Sequence, residues 1–233
     1  MKRSWLYKHV EKNIFAFFLK NFGIWFCDYR NNTFRNNKEV WGLLLKIRYE
    51  GKAMQILEEL LNIYQLAKNT SHLDGDIAEV GVYKGGSAKL LAIWKGKRSL
   101  HLFDSFQGMA STSKNIDIHR VGDFNDTSFE AVKQYLFEFD NLYLHKGWFP
   151  CNSELVKNNR FSLVHLDVDL YQSTLDALNF FYERMVRGGI ILSHDYNSLS
   201  CPGVVKAFDE FFKDKEEAII ELGGTSQCLV VKL

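Results

Sequence analysis

Two aspartates, Asp167 and Asp169, follow an apolar run, residues 161–166, in the segment HLDVDLYQST. If that run is a β-strand, both carboxylates lie on one of its faces, because side chains alternate along a strand with period two. Carboxylates this close repel each other, so either one of them takes up a proton or a cation lies between them. The spacing therefore predicts a shared proton or a cation site.

A second pair, His194 and Asp195, ends the next apolar run in the segment SHDY. Together with Asp167 this pair offers two carboxylates and one imidazole, a set that suits Mg²⁺, Mn²⁺ or another divalent ion. Such a cation would also offset the repulsion between the aspartates. The competing interpretation is that His194 is an ordinary packed histidine beside Tyr196. We predict a divalent metal site made by Asp167, His194 and Asp195.

A glycine-rich turn, EVGVYKGGSA, joins an earlier apolar run to a helical pattern. Gly81 permits a backbone conformation that a side chain would block. Gly85, Gly86 and Ser87 are expected to leave amide groups free at the start of the helix, where they attract an anion. In the competing interpretation Ser87 is only a helix N-cap. The spacing differs from the G-x-G-x-x-G fingerprint of dinucleotide-binding proteins.

Acidic residues on both sides of this turn indicate the kind of cofactor. Asp104 ends the next predicted strand, where a carboxylate can accept hydrogen bonds from both hydroxyls of a ribose. With the glycine turn upstream, this interpretation is favoured over a helix cap. Glu79, just before the turn, suits a cofactor with an ammonium and a sulfonium better than one with a pyrophosphate. The pattern predicts S-adenosylmethionine. An NAD-linked oxidoreductase and a non-catalytic nucleotide-binding protein are the alternatives.

The elements that position these residues alternate between strand and helix from residue 75 onwards, which predicts a parallel sheet covered on both faces by helices. Two final strands, AIIEL and CLVVKL, flank GGTSQ and predict an antiparallel hairpin. By analogy, the predicted fold is an α/β class I methyltransferase (Rossmann-like) sheet of seven strands. We expect a helical N-terminal extension over residues 1–70, acting as a lid or dimer arm, and a methyltransferase domain over residues 71–233. Within the extension, the apolar pattern predicts a helical stretch over residues 39–68.

Composition limits the partners and the cellular compartment that we expect for this protein. The net charge of +1 provides no field for nucleic acid. The four cysteines, Cys201 among them, form no CxxC pair, which favours ordinary buried thiols in a reduced, cytoplasmic compartment. No apolar run reaches the ~20 residues of a membrane-spanning helix. Residues 1–30 show aromatic residues at helical spacing, which we interpret as a helix packed on the domain or on a second subunit of a homo-oligomer. The alternative is a basic amphipathic helix in peripheral contact with a membrane.

Six segments, in order, resemble the macrocin O-methyltransferase (TylF-type) family: EVGVYKGGSA, HLFDSFQG, KGWFP, HLDVDLYQST, GGIILSHDY and CPGVVKAFDEF. The resemblance covers residues 75–233 and leaves the N-terminal third outside. It implies methylation of a hydroxyl, mostly on sugars of small molecules or glycans, with S-adenosylmethionine and Mg²⁺.

The resemblance also implies roles for individual residues. Asp167 becomes a metal ligand and Asp169 the general base. His194 stands where the family shows an aspartate, and a neutral, softer ligand there predicts either a preference for Mn²⁺, Fe²⁺ or Zn²⁺ over Mg²⁺ or weaker metal binding. Trp148 and Phe149 would wall the pocket, and residues 109–127 would form a lid. The implied cofactor contacts are Glu79, Gly81, Val82, Tyr83, Gly86, Ser87, Asp104 and Ser105.

Overall fold

The computed structural model describes residues 37–109, 112–113 and 115–233. The predicted helix in residues 1–30 lies outside this part of the chain. Contacts divide the chain into two compact units, residues 1–46 and residues 47–233. The extension predicted over residues 1–70, with its role as a lid or dimer arm, stays a prediction. Among the described helices, none is both long and apolar enough to cross a bilayer.

The second unit is built on a seven-stranded sheet with helices on its faces. The strands are β1 (Asp76–Val80), β2 (Leu100–Asp104), β3 (Leu142–Lys146), β4 (Phe161–Leu166), β5 (Met185–Ser193), β6 (Ile220–Glu221) and β7 (Cys228–Val231). The α-helices of the described ranges are α1 (Lys38–Tyr49), α2 (Leu57–Asn69), α3 (Gly86–Trp94), α4 (Phe129–Tyr135), α5 (Tyr171–Phe181) and α6 (Pro202–Phe212). Short 3₁₀ turns span Glu154–Val156 and Tyr182–Arg184.

The strand order is β3-β2-β1-β4-β5-β7-β6. Strands β1 to β5 pair in parallel, while β7 runs antiparallel to both β5 and β6. This arrangement confirms the predicted fold class, including the closing hairpin. The order reverses between β1 and β4, and ligands of open α/β sheets bind beyond the carboxyl ends of strands at such a switch point.

The core lies on both sides of the central strands. All six residues of β4 are buried, as expected for a parallel strand covered on both faces. On one face, helices α5 and α6 contribute to a cluster with the fully buried side chains of Phe103, Phe161, Phe181 and Phe208. Each such side chain stabilises the fold by about 1.5–3 kcal/mol relative to exposure. The core therefore holds the strand ends, and the residues that follow them, in fixed positions.

The prediction of one helical stretch over residues 39–68 is wrong in one respect, because the structure has two helices there. Helix α1 ends at Tyr49 and α2 begins at Leu57. Gly51, between them, has φ +65°, a left-handed conformation that an α-helix cannot continue through. The interruption matters for function because the intervening residues 52–55 line the cavity described below.

Candidate active site

A cavity of about 270 Å³ opens at the carboxyl edge of the sheet, next to the ends of β1 and β4. Backbone hydrogen bonds fix its floor, because Asp167 donates its amide to Val80 (2.9 Å) and His194 donates to Leu166 (2.8 Å). The cavity brings together most of the residues that the sequence predicted. Its lining includes Gly81, Val82, Tyr83, Ser87, Asp104, Ser105, Trp148, Phe149, Asp167, Asp169, His194 and Asp195.

The glycine turn passes over the end of β4 at very short range. A Cβ on Gly81 would lie 1.8 Å from the carbonyl oxygen of Asp167, and Gly81 itself has φ +87°. Only glycine fits here, so the turn and the Asp167 backbone are mutually positioned. The requirement for glycine inferred from the sequence is confirmed at this position.

The carboxylate of Asp104 anchors this turn. Its Oδ2 accepts the amides of Val82 (2.8 Å) and Tyr83 (2.9 Å), and its Oδ1 accepts the amide of Phe106 (2.7 Å). A carboxylate has about four acceptor positions, so one position on Oδ1 remains for a ligand. The position of Asp104 beside the cavity therefore suits a contact with one ribose hydroxyl rather than with both.

The amides at the start of α3 are not all free, which corrects one expectation. Gly85 donates its amide to Val82 (2.9 Å) and Gly86 donates to Lys52 (3.1 Å). Gly86 also packs closely on that segment, since an added Cβ would lie 2.6 Å from the Lys52 carbonyl oxygen. Of the three residues expected to face an anion, only Ser87 lines the cavity.

Two other predicted cofactor residues have internal partners. Ser105 donates its hydroxyl to the carbonyl of Gly108 (2.9 Å). Glu79 is fully buried beneath the turn, outside the cavity lining. Its Oε1 lies 2.8 Å from Nδ1 of His165, whereas its Oε2 has no hydrogen-bond partner among the described residues. Burial raises the pKa of Glu79. A direct contact between Glu79 and a cofactor stays a prediction.

His194 lies at the centre of a cluster of carboxylates. Its Nδ1 is 3.1 Å from Oδ1 of Asp167 and 2.7 Å from Oδ2 of Asp195. Its Nε2 is 3.1 Å from Oε2 of Glu59, a buried residue of α2. The second oxygen of Asp167 accepts a hydrogen bond from Gln55 (2.5 Å). The His194 ring is thus held by acceptors at both nitrogens.

These contacts shift the protonation of the cluster. Burial opposes charge on His194, but the neighbouring Asp167 carboxylate raises the His194 pKa far above its ordinary value. Burial likewise opposes ionisation of Glu59, but the hydrogen bond to His194 lowers the Glu59 pKa to about 2. In the absence of a bound cation, the imidazolium itself offsets the surrounding negative charge.

The position and the pKa of Asp169 explain how this carboxylate can lie close to that of Asp167. Strand β4 ends at Leu166, and Asp169 has φ +59°, so its position is set by the turn after the strand rather than by strand alternation. Burial, the charge of Asp167 and a hydrogen bond to Asp195 raise the pKa of Asp169 well above its ordinary value. These contacts therefore favour the protonated form of Asp169 over the ionised form.

The residues present fit a divalent cation. Ligand atoms of Asp167, His194 and Asp195 lie within 4.8 Å of one another. Bonds of 2.0–2.1 Å in an octahedral site place adjacent ligand atoms about 3 Å apart, close to the observed 3.1 and 2.7 Å from Nδ1 of His194. Glu59 on Nε2 leaves Nδ1 to face the carboxylates, the usual arrangement for a histidine ligand.

Sequence reasoning missed four residues that contact this cluster or line the same cavity: Gln55, Glu59, His119 and Cys201. Gln55 and Glu59 precede the segments that carried the resemblance. His119 lies in the polar stretch predicted to be a lid, and Cys201 was interpreted as an ordinary thiol. Gln55 and Glu59 were missed because the helical stretch predicted over residues 39–68 had no break in it. Gly51 is a turn signal from which a bend in the chain could have been predicted.

Comparison with known proteins identifies the family. A model of the macrocin-O-methyltransferase (TylF) family matches residues 30–222. The match begins well before residue 75, so the expectation that the N-terminal third lies outside the family is wrong from residue 30 onwards. The matched range includes Gln55 and Glu59, the two contacts that α2 and its preceding segment contribute.

Individual proteins show the same likeness. Demethyldecarbamoylnovobiocin O-methyltransferase of Streptomyces niveus is 26% identical over 208 residues, covering 78% of this chain and 75% of that protein. The 8-demethyl-8-(2,3-dimethoxy-alpha-L-rhamnosyl)-tetracenomycin-C 4'-O-methyltransferase of Streptomyces olivaceus is 29% identical over 167 residues, covering 65% of this chain and 64% of that protein. The solved structure of the O-methyltransferase NovP superimposes with a TM-score of 0.67 at 23% identity, covering 78% of this chain and 82% of that one.

The structural likeness establishes the fold as that of class I, S-adenosylmethionine-dependent methyltransferases. The family match removes both alternatives that the sequence left open, an NAD-linked oxidoreductase and a non-catalytic nucleotide-binding protein. The chain is a methyltransferase and belongs to the macrocin-O-methyltransferase (TylF) family.

Proposed function

We propose that this protein transfers a methyl group from S-adenosylmethionine to a sugar hydroxyl of a natural product or glycan, with Asp169 as general base. A single arrangement carries the proposal. The glycine turn, the carboxylate cluster around His194 and the protonatable Asp169 all face one cavity at the switch point of the sheet.

The cofactor would lie against the glycine turn. Asp104 offers its one remaining acceptor position to a ribose hydroxyl, and Ser87 faces the cavity from the start of α3. Trp148 and Phe149 provide apolar wall in the same cavity. Bound there, S-adenosylmethionine supplies a methyl group on a sulfonium, an electrophile for in-line displacement. Glu79, buried below the turn, lies outside the cavity lining and would act on the cofactor from beneath the turn.

A divalent cation held by Asp167, His194 and Asp195 would polarise the acceptor hydroxyl. Asp169, next to this set, is placed to take the hydroxyl proton. A carboxylate at this position can accept the proton as the hydroxyl attacks the methyl group. Gln55 and Glu59 act through the ligands, since each donates to or accepts from one of them and neither is itself in the set.

The sugar acceptor is supported by two findings. The tetracenomycin relative is named for methylation of a rhamnosyl group, and the cavity combines carboxylates with an aromatic wall, as sugar-binding sites commonly do. A site that orients neighbouring hydroxyls gains rate through positioning. The proposed acceptor is therefore a sugar hydroxyl, without a specified position on the sugar.

The experiment uses labelled S-adenosylmethionine with rhamnose-bearing polyketides and a nucleoside-diphosphate rhamnose as acceptors. We expect label transfer that stops on chelation and returns with Mn²⁺ or Mg²⁺. Unchanged transfer after exhaustive chelation would contradict the metal role. Absence of calorimetric heat with S-adenosylmethionine would contradict the cofactor.

Asp169→Asn tests the base directly. We expect a rate loss of about 10²–10⁴-fold, with affinity for S-adenosylmethionine nearly unchanged. Because a base must be ionised, the wild-type rate should fall as the pH drops through the raised pKa of Asp169, and the variant should lack this limb. Asp176→Asn on α5, outside the cavity lining, is the matched control. An identical pH–rate profile in both variants would exclude Asp169 as the base.

A further inference from the structure

A second group of metal-binding side chains faces the same cavity. His119, Asp169 and Cys201 each present one ligand atom, and these three atoms lie within 4.8 Å of one another. His119 lies between α3 and α4 in sequence, Asp169 follows β4, and Cys201 precedes α6. The three residues are distant in sequence and meet only because the fold brings their segments to one cavity wall.

The distances match a tetrahedral site for a soft ion. The sulfur of Cys201 is 3.6 Å from Nε2 of His119 and 3.4 Å from Oδ1 of Asp169. Zinc bonds of about 2.3 Å to sulfur and about 2.0–2.1 Å to nitrogen or oxygen, at tetrahedral angles, place neighbouring ligand atoms about 3.5 Å apart. All three residues line the cavity, which leaves the fourth position for a water molecule.

The outer contact of His119 provides an independent observation. Nδ1 of His119 is 3.4 Å from Oδ2 of Asp123, so Nε2 is directed towards Cys201. A histidine that ligates a metal usually donates its other ring N–H to a carboxylate, which fixes the ring and the tautomer. Asp123 is itself held by the amide of Arg120 (2.9 Å).

We propose that His119, Asp169 and Cys201 form a zinc-type site, separate from the set made by Asp167, His194 and Asp195. The thiolate is the feature that distinguishes the two, because thiolate ligands favour zinc, whereas carboxylates and water suit Mg²⁺ and Mn²⁺. Binding exchanges the proton of the Cys201 thiol for a metal–sulfur bond and releases that proton to solvent.

Zinc in this site would inhibit methyl transfer, a consequence that rests on the proposed function. Asp169 cannot take a proton from the acceptor while its oxygen is bound to a metal. Because binding replaces the thiol proton of Cys201, zinc binds more tightly as the pH rises.

The test uses the full-length protein with saturating Mg²⁺, which occupies the oxygen-rich set and leaves the thiol. Co²⁺ is then added as a spectroscopic substitute for zinc. We expect a near-ultraviolet thiolate-to-cobalt absorption that titrates to one equivalent and disappears when Zn²⁺ displaces Co²⁺. Cys201→Ser should abolish this absorption, and His119→Ala should weaken Zn²⁺ binding at least about tenfold, as loss of even an outer contact does.

Two cysteine variants serve as controls. Cys151→Ser removes an exposed thiol, and Cys27→Ser removes a thiol outside the described residues; both should keep the absorption. A wild-type protein without the absorption, or a Cys201→Ser protein that retains it, would overturn the site. His119→Ala alters a partly exposed residue and stays informative if Cys201→Ser folds poorly. Failure of the proposed function appears separately, as a protein that shows the thiolate absorption but transfers no methyl group, or whose transfer zinc does not inhibit.

Discussion

Replacement of Gly81 by alanine tests how tightly the glycine turn and the proposed metal ligand Asp167 are packed together. The new Cβ would lie 1.8 Å from the carbonyl oxygen of Asp167 and 2.7 Å from its carbonyl carbon. An ordinary carbon–oxygen contact is about 3.3 Å or more, so the backbone of Asp167 must move by about 1.5 Å. The residue must also keep φ +87°, which alanine adopts only with strain.

A matched control separates the two costs. Gly122 has the same φ of +87°, but a Cβ added there has nothing within 4 Å. Gly122→Ala therefore carries only the backbone strain, about 1–3 kcal/mol. Gly81→Ala carries the same strain and, in addition, an overpacking cost of about 1–3 kcal/mol. We expect Gly81→Ala to lower the free energy of unfolding by about 2–6 kcal/mol.

Urea unfolding followed by circular dichroism measures both variants under the same conditions. Mn²⁺ calorimetry on the folded proteins adds a functional readout, since a displaced Asp167 should weaken metal affinity in Gly81→Ala alone. If the two variants differ by less than about 0.5 kcal/mol, the scatter of ordinary surface substitutions, the inferred clash is absent. The account of how the turn positions Asp167 would then be incorrect.

Two further predictions concern residues that stabilise the site and the fold. Glu59→Gln weakens the contact with Nε2 of His194 and should lower Mn²⁺ affinity, measured by calorimetry, about 10–100-fold. Glu58→Gln, exposed on the same helix, should leave the affinity unchanged, and equal affinities of the two variants would contradict the role of Glu59. Although burial opposes it, the Lys232 ammonium lowers the pKa of Glu217 from 4.5 to about 2. The stability that Glu217 contributes is present above pH 4.5 and is lost as the pH falls towards 2. The difference in free energy of unfolding between wild type and Glu217→Gln, measured in urea, should therefore shrink across that range. A constant difference would count against this role of Glu217.

Local patterns were sufficient to predict the sheet and the edge at which the candidate site lies. Apolar runs that alternate with helical patterns specify parallel strands, because each strand must be covered on both faces. Parallel strands end at a common edge, so residues that follow them, such as Asp167 and His194, could be expected to meet. Gly81 could likewise be recognised, because a turn with positive φ restricts the residue type at that position.

The partners of those residues could not be predicted in this way. Gln55 and Glu59 reach Asp167 and His194 across 112 and 135 residues of sequence. No spacing rule links positions so far apart, since their proximity results from how the segment after Gly51 bends back beside the sheet. The expectation that the amides of Gly85 and Gly86 are free failed for a similar reason. Their acceptors, the carbonyls of Val82 and Lys52, are set by the three-dimensional geometry of the turn.

The sequence by itself therefore determined the fold class, the glycine turn and the residue types gathered at one sheet edge, because hydrophobic periodicity and turn signals are local patterns. Only the tertiary structure decided that His194 lies between carboxylates from three segments, that the pKa of Asp169 is raised and that Cys201 meets His119. Charge and protonation depend on distances through space and on burial. Both arise when the chain packs, and no local sequence pattern contains them.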